Sequence, residues 1–133
     1  SMKTLAELNL PESVRYTDEH VWARMDGDEA VIGISDFAQD QLGEIAFVDL
    51  PAVGSRFDAA ADFGTVESLK SVNQLFMPVS GEVLAVNEEL ESTPTLVNVS
   101  PYGEGWMIRI RPDDPAAVAA LPDAAAYRKL LGA

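Results

Sequence analysis

Apolar and polar positions alternate over short stretches through most of this chain, and turn-forming residues separate the stretches. Val14 to Tyr16 and His20 to Arg24 read as short strands. Asp26-Gly27-Asp28 supplies a turn, because Gly and Asp tolerate left-handed backbone, and Ala30 to Ile34 returns as a β-branched arm. Ser35 is a good N-cap, Asp36 suits the positive end of a helix dipole, and Gly43 is a stop. Together they predict a short helix over Asp36 to Leu42. Ile45 to Leu50 is an apolar strand closed by Pro51, and Ala52 to Ser55 turns into Arg56-Phe57.

Asp62 to Ser68 and Val72 to Val79 predict a second hairpin, joined by Leu69-Lys70-Ser71 without Gly or Pro. Leu75, Met77 and Val79 share one face, and Pro78, which cannot donate to a ladder, marks an edge or bend. Ser80-Gly81 leads into a half-buried strand to Asn87. Glu88 to Gly105 is rich in Glu, Ser, Thr, Pro, Asn and Gly, and predicts a surface loop interrupted by Leu96-Val97. Trp106 to Ile110 is the last strand. Asp113-Asp114-Pro115 opens a short helix, Leu121-Pro122 breaks it, and Asp123 caps a final helix to Leu131. Many short strands with three small helices predict a mainly β fold, a sandwich or flattened barrel.

Composition narrows the function. A chain of 133 residues with 47% hydrophobic content and mean hydropathy of +0.03 makes one globular domain. The formal charge of −13 leaves no basic footprint for nucleic acid or an anionic membrane, and it suits docking on basic patches of partner proteins. Simple solubility explains the acidity equally well. No apolar run approaches the roughly 18 residues of a membrane span, and the N-terminus lacks signal-peptide character, so a cytoplasmic protein is expected. Ser1, ahead of Met2, is set aside. With no cysteine, disulfides, thiolate metal sites and cysteine nucleophiles are excluded together.

Four groups are candidates for chemistry. His20, the single histidine, lacks a second ligand at metal-site spacing, and a satisfied strand histidine beside Trp22 is the better reading. Asp18 and Glu19 stand next to it and favour its charged form. Glu88, Glu89 and Glu91 lack the alternation of a calcium loop and read as a solvated face. Trp22 and Trp106 read as core anchors. Lys70 is the one lysine outside the terminal segments, which hold Lys3 and Lys129. A Schiff-base lysine needs desolvation or a neighbouring cation, whereas Lys70 has Glu67 nearby. A lysine modified by another enzyme needs only exposure and a stiff support.

The flanking residues decide between an ordinary turn lysine and a modified one. Phe63-Gly-Thr-Val-Glu67-Ser68-Leu69-Lys70-Ser71 closely resembles the lipoyl-attachment segment of the glycine cleavage system H-protein family. Tyr16-Thr-Asp-Glu-His20-Val-Trp22, Ile32 through Gly43-Glu44, Pro78 through Val83, Leu96-Val-Asn98 and Ser100 through Ile108 resemble further family segments in the same order.

The resemblance implies a lipoyl/biotinyl-type barrel sandwich of two antiparallel sheets with a hairpin-borne lysine and small peripheral helices. Its expected division is a segment 1–13, a carrier domain 14–111 and a helical extension 112–133 packed on that domain. It implies lipoate in amide linkage on Lys70, with Glu67, Ser68, Leu69 and Ser71 recognised during attachment. The implied role is that of a non-catalytic, monomeric carrier. It takes the aminomethyl group of glycine from the pyridoxal-phosphate glycine decarboxylase (P protein) to the tetrahydrofolate-dependent aminomethyltransferase (T protein). Dihydrolipoyl dehydrogenase (L protein) and lipoate-attaching enzymes complete the expected partners. Acylation would give an arm of about 15 Å. Val21 stands where many members carry Glu. Gln41 and Gln74 stand where polar or charged groups line the cleft for the loaded arm. A biotin carrier would place methionines beside the lysine, where Leu69 and Ser71 stand. A lipoyl domain of a 2-oxoacid dehydrogenase would place aspartate before it. A divergent H-like protein relaying lipoyl groups to other carriers is a further alternative.

Overall fold

The computed structural model describes residues 2–132. Nine strands form two antiparallel sheets among these residues. The larger contains β1 (Arg15–Tyr16), β2 (Val21–Asp26), β3 (Glu29–Ile34), β9 (Ile108–Pro112), β8 (Gly81–Val86) and β5 (Arg56–Phe57), in that spatial order. The smaller contains β4 (Ile45–Asp49), β6 (Asp62–Ser68) and β7 (Val72–Phe76), with β6 central. Inward residues from both sheets fill one core: Ala23, Ile32 and Ile34 from the first hairpin, Ile45 and Val48 from β4, Phe63 and Val66 from β6, and Ile108 and Ile110 from β9. Ile32 with Ile34 and Ile108 with Ile110 keep the period-two pattern of the sequence, whereas irregularities in β4 and β6 set Ile45 and Val48, and Phe63 and Val66, three positions apart. The expected β-sandwich is therefore present.

A second cluster sits on the outer face of the large sheet. Leu8, Leu10 and Val14 from the N-terminal segment meet Tyr16, Trp22, Val31 and Tyr127 there. Tyr16 and Tyr127 stack with ring centroids 4.5 Å apart. Gly33 leaves room for the Trp22 indole, since a Cβ there would lie 2.8 Å from three of its ring atoms. The indole Nε1 donates to the carbonyl of Pro101 at 3.0 Å, so Trp22 is a core anchor as read.

Helix α1 (Asp36–Leu42) has the predicted bounds. Ser35 caps it by accepting the Ala38 N–H, and Gly43 ends it at φ +76°. Asp36 at its start is buried, and the carboxylate accepts from the Asn9 N–H at 2.8 Å, Lys3 Nζ at 2.8 Å and Gln39 Nε2 at 2.7 Å. The Tyr102 hydroxyl accepts the Asp36 N–H and donates to the Asn9 carbonyl. The N-terminal segment is thereby tied to α1. Helices α4 (Pro115–Ala119) and α5 (Ala124–Leu130) begin at Asp114 and Asp123, each capping through its carboxylate.

Four expectations need correction. The supposed loop from Glu88 to Gly105 contains two single-turn helices, α2 (Glu89–Ser92) and α3 (Leu96–Val99), so the described residues form five α-helices with a 3-10 turn at Leu5–Glu7. Leu90 and Val97 pin them into the core, two anchors that the polar composition concealed. The arm after Lys70 stops at Phe76, because Pro78 cannot continue a ladder; Met77 instead exchanges backbone bonds with Ala60 and Ala61. The last strand starts at Ile108 rather than Trp106, where Asn87 takes up the Trp106 carbonyl. His20 lies in a turn at φ +66°, outside the strand that begins at Val21.

Candidate functional site

Lys70 sits at the exposed tip between β6 and β7, on the edge of the molecule that the small sheet forms. Two-residue hairpins usually use turns with positive φ, supplied by Gly or Asn. No residue from Ser68 to Ser71 has positive φ. The buried Ser68 hydroxyl supplies the closure instead, accepting the N–H groups of Lys70 at 3.3 Å and Ser71 at 3.2 Å. The Ser68 N–H donates to the Ser71 carbonyl at 2.9 Å, which ties the turn one step beyond the last register pair, Glu67 and Val72. Glu67 and Leu69 face solvent, Ser68 is turned inward, and Ser71 is half-buried at the mouth of a groove.

The Lys70 side chain lies across the C-terminal end of α1. A Cβ built on Gly43 would be 3.6 Å from Lys70 Cε and 3.9 Å from Nζ. Gly43 is itself held by Asn98, whose Nδ2 donates to the Gly43 carbonyl at 2.8 Å while its Oδ1 accepts the Ile45 N–H at 2.9 Å. Lys70 forms no salt bridge among the described residues. The site offers an amine on a stiff support, with no cation or enclosing apolar wall to make it a nucleophile in its own right.

A groove of about 600 Å³ begins at Ser71 and runs between β7 and α1. Phe37, Leu42 and Val72 give it apolar walls, and Gln41 and Gln74 face it from opposite sides. Glu19 and His20 close one end. Val21, the third departure from the family pattern, points into the core instead.

His20 Nδ1 is 2.7 Å from the Tyr127 hydroxyl, which is 2.8 Å from Ser35 Oγ. Burial is the largest influence on His20 and holds its pKa below the ordinary imidazole value, against the opposite pull of Glu19 and Asp18. The sequence weighed those two acids and could not see the burial. Burial likewise pushes the Tyr127 phenol upward, so the pair is a neutral hydrogen-bonded contact. No group of three or more His, Cys, Asp or Glu suited to a metal occurs among the described residues.

Residues 14–133 match the family model described as Glycine cleavage H-protein. The chain belongs to the glycine cleavage H-protein family. It is 49% identical over 124 residues to the glycine cleavage system H protein of Bacteroides thetaiotaomicron, covering 93% of this chain and 98% of that one. It is 51% identical over 121 residues to that of Anaeromyxobacter sp. strain K, covering 91% and 94%. The crystal structure of a glycine cleavage system H protein from Mycobacterium marinum superposes with a TM-score of 0.85 at 33% identity, covering 93% of this chain and all of that one.

Membership carries the coarse role, a carrier in glycine cleavage, and H proteins of that system carry lipoate. The site here fits such a group: an exposed amine free of ion pairs stands beside a groove large enough for a short chain. Sequence reasoning missed one contributor, Gly43 beneath the lysine, whereas the groove was expected through the family resemblance, at Gln41 and Gln74, which both line it. Gly43 had a signal, a helix stop spaced to meet the hairpin only once the sheets are packed. The groove arises from three distant segments, and the resemblance alone pointed to it.

Proposed function

We propose that this chain is a non-catalytic lipoyl carrier acting in the cytoplasm as a monomer, with lipoate in amide linkage on Lys70. The observation that carries this reading is the placement of the exposed Lys70 at a serine-clamped hairpin tip in a chain of this family. In this reading a lipoyl group on Lys70 would supply the disulfide chemistry for carrying the aminomethyl group of glycine, with the P protein as donor, the T protein as acceptor and the L protein as reoxidant.

The residues of the chain do the remaining work. Ser68 and Ser71 fix the tip, so that Lys70 projects away from the sheet. Glu67 and Leu69 are the outward side chains beside it that an attaching enzyme can read. The groove walls Phe37, Leu42 and Val72 exclude water, and Gln41 and Gln74 offer neutral hydrogen-bonding groups where an arm folded back along β7 would end. Glu19 is the acidic residue lining that groove, suited to a cationic group. The chain itself keeps no reacting proton.

Incubation with lipoate, ATP and a lipoate ligase is expected to add one lipoyl mass to the intact protein, located on the Lys70 peptide. The Lys70→Arg variant should gain nothing. An unmodified wild-type protein, or a lipoyl increment retained by Lys70→Arg, would overturn the reading.

A further inference from the structure

Large hydrophobic side chains left to solvent are unevenly distributed over the described surface. Of seven such residues, Phe47, Leu69, Val72 and Val99 gather around Lys70, exposed at 53%, 82%, 59% and 79%. Register explains the grouping. Phe47 stands opposite Glu67 and Glu67 opposite Val72, so the three side chains form one row across β4, β6 and β7 on the solvent face. Leu69 projects from the turn that closes this row. Val99 shares a shallow depression with Gly43, the residue beneath the Lys70 side chain. None of the four belongs to the buried core, although Val72 also borders the groove along β7, and a clustered exposed patch marks a surface for a partner.

Charge and reach select the partner. Glu44, Glu67 and Asp49 are exposed among or beside the patch, and the whole chain carries −13. A second copy would set like charge against like, whereas a cationic rim would be attracted. A bare lysine extends only about 6 Å from its Cα, so an enzyme acting on the free amine must press against residues one row away. Enzymes acting at the end of an arm of about 15 Å can stand off from that row.

We infer that Phe47, Leu69, Val72 and Val99 form the footprint of the enzyme that acylates bare Lys70, an enzyme presenting an apolar depression rimmed by Lys and Arg side chains. This rests on the proposed lipoylation of Lys70 and extends its recognition from Leu69, within the attachment segment, to Phe47, Val72 and Val99 outside it. In the step served, Lys70 Nζ gives up one proton to become the free amine, attacks the carbonyl carbon of lipoyl adenylate and releases a second proton to the enzyme as the amide forms. The new C–N bond forms as the C–O bond to AMP breaks, with no change of oxidation state.

Steady-state transfer from lipoyl adenylate on a lipoate ligase tests the inference, with full-length apo-protein as the varied substrate. Phe47→Ser and Val72→Ser should each raise KM about five- to tenfold with kcat little changed, as expected of central apolar contacts. Val53→Ser, an exposed apolar residue in the turn before β5, should match the wild type. Raising salt should lower kcat/KM for the wild type. Thermal unfolding of each variant checks folding, which these exposed positions should leave intact. Wild-type KM in both Phe47→Ser and Val72→Ser overturns the inference while leaving lipoylation standing; no transfer to wild-type Lys70 overturns lipoylation itself. Self-association of the wild type that Phe47→Ser abolishes would also overturn it, because the patch would then serve a second copy.

Discussion

Replacing Asp36 by alanine is expected to destabilise the protein far more than replacing its ion-pair partner. The buried carboxylate holds the Asn9 N–H at 2.8 Å and Gln39 Nε2 at 2.7 Å. Each such bond to a charged acceptor contributes about 1.5 kcal/mol, the lower end of the range because Asn9 lies near solvent. Lys3 is 38% exposed, so its ion pair adds less than about 1 kcal/mol. The sum is about 3–4 kcal/mol. At this chain length about 3–4 °C of Tm accompanies each kcal/mol, which gives a fall of about 9–16 °C. Lys3→Ala should shift Tm by no more than about 3 °C. Calorimetric or circular-dichroism melts of the two variants measure both quantities. A fall below about 3 °C for Asp36→Ala, or an equal fall for Lys3→Ala, would refute the assignment of this latch to buried hydrogen bonds.

Three other outcomes are expected. Gly43→Ala places an L-residue at φ +76° and should cost about 1–3 kcal/mol in urea unfolding. Its new Cβ would make only ordinary contact with Lys70, so lipoylation by the ligase should persist; a neutral change in stability would refute the strain argument. His20 is held neutral by burial, so the unfolded chain takes up a proton first as pH falls. The stability it contributes is full above about pH 6.5 and is lost as pH drops through the lower folded-state value, and His20→Gln should flatten the dependence of the urea midpoint between about pH 7 and 5. Unchanged slopes would count against it. Finally, lipoylated protein mixed with the glycine decarboxylase should support exchange of labelled bicarbonate into glycine, and Lys70→Arg should not. Full lipoylation without exchange would favour a relay of lipoyl groups over the glycine-cleavage role.

The legible parts of this fold were those set by local pattern. The β2–β3 hairpin, the bounds of α1 and the caps Ser35, Asp114 and Asp123 follow from period, propensity and capping chemistry within a few residues. The Lys70 hairpin was legible because its residues form a dense, continuous motif. What stayed hidden depends on residues far apart in sequence. Leu90 and Val97 become anchors only once the core closes around them, so the polar stretch that holds them read as loop. His20 read as a strand residue with two acidic neighbours, and its environment is decided by Tyr127 and Phe37 from other elements. Asp36 read only as an acid at the positive end of a helix dipole, and its burial under the N-terminal segment depends on residues distant in sequence. The groove was legible only through the family resemblance, at Gln41 and Gln74, since its walls come from the β7 edge, α1 and the turn before β2.

The serine closure beneath the tip separates two tasks that most hairpins give to the same residues. Where a turn relies on Gly or Asn at its apex, the apex cannot also be chosen for what it displays. Here one hydroxyl, from a side chain hidden below, sets the bend, and the apex residues keep ordinary backbone geometry. Leu69 and Lys70 are therefore free to act as an address, readable and replaceable without altering the support. A tip built this way should be portable: moved with Ser68 and Ser71 onto another paired-strand end, it should carry its label with it.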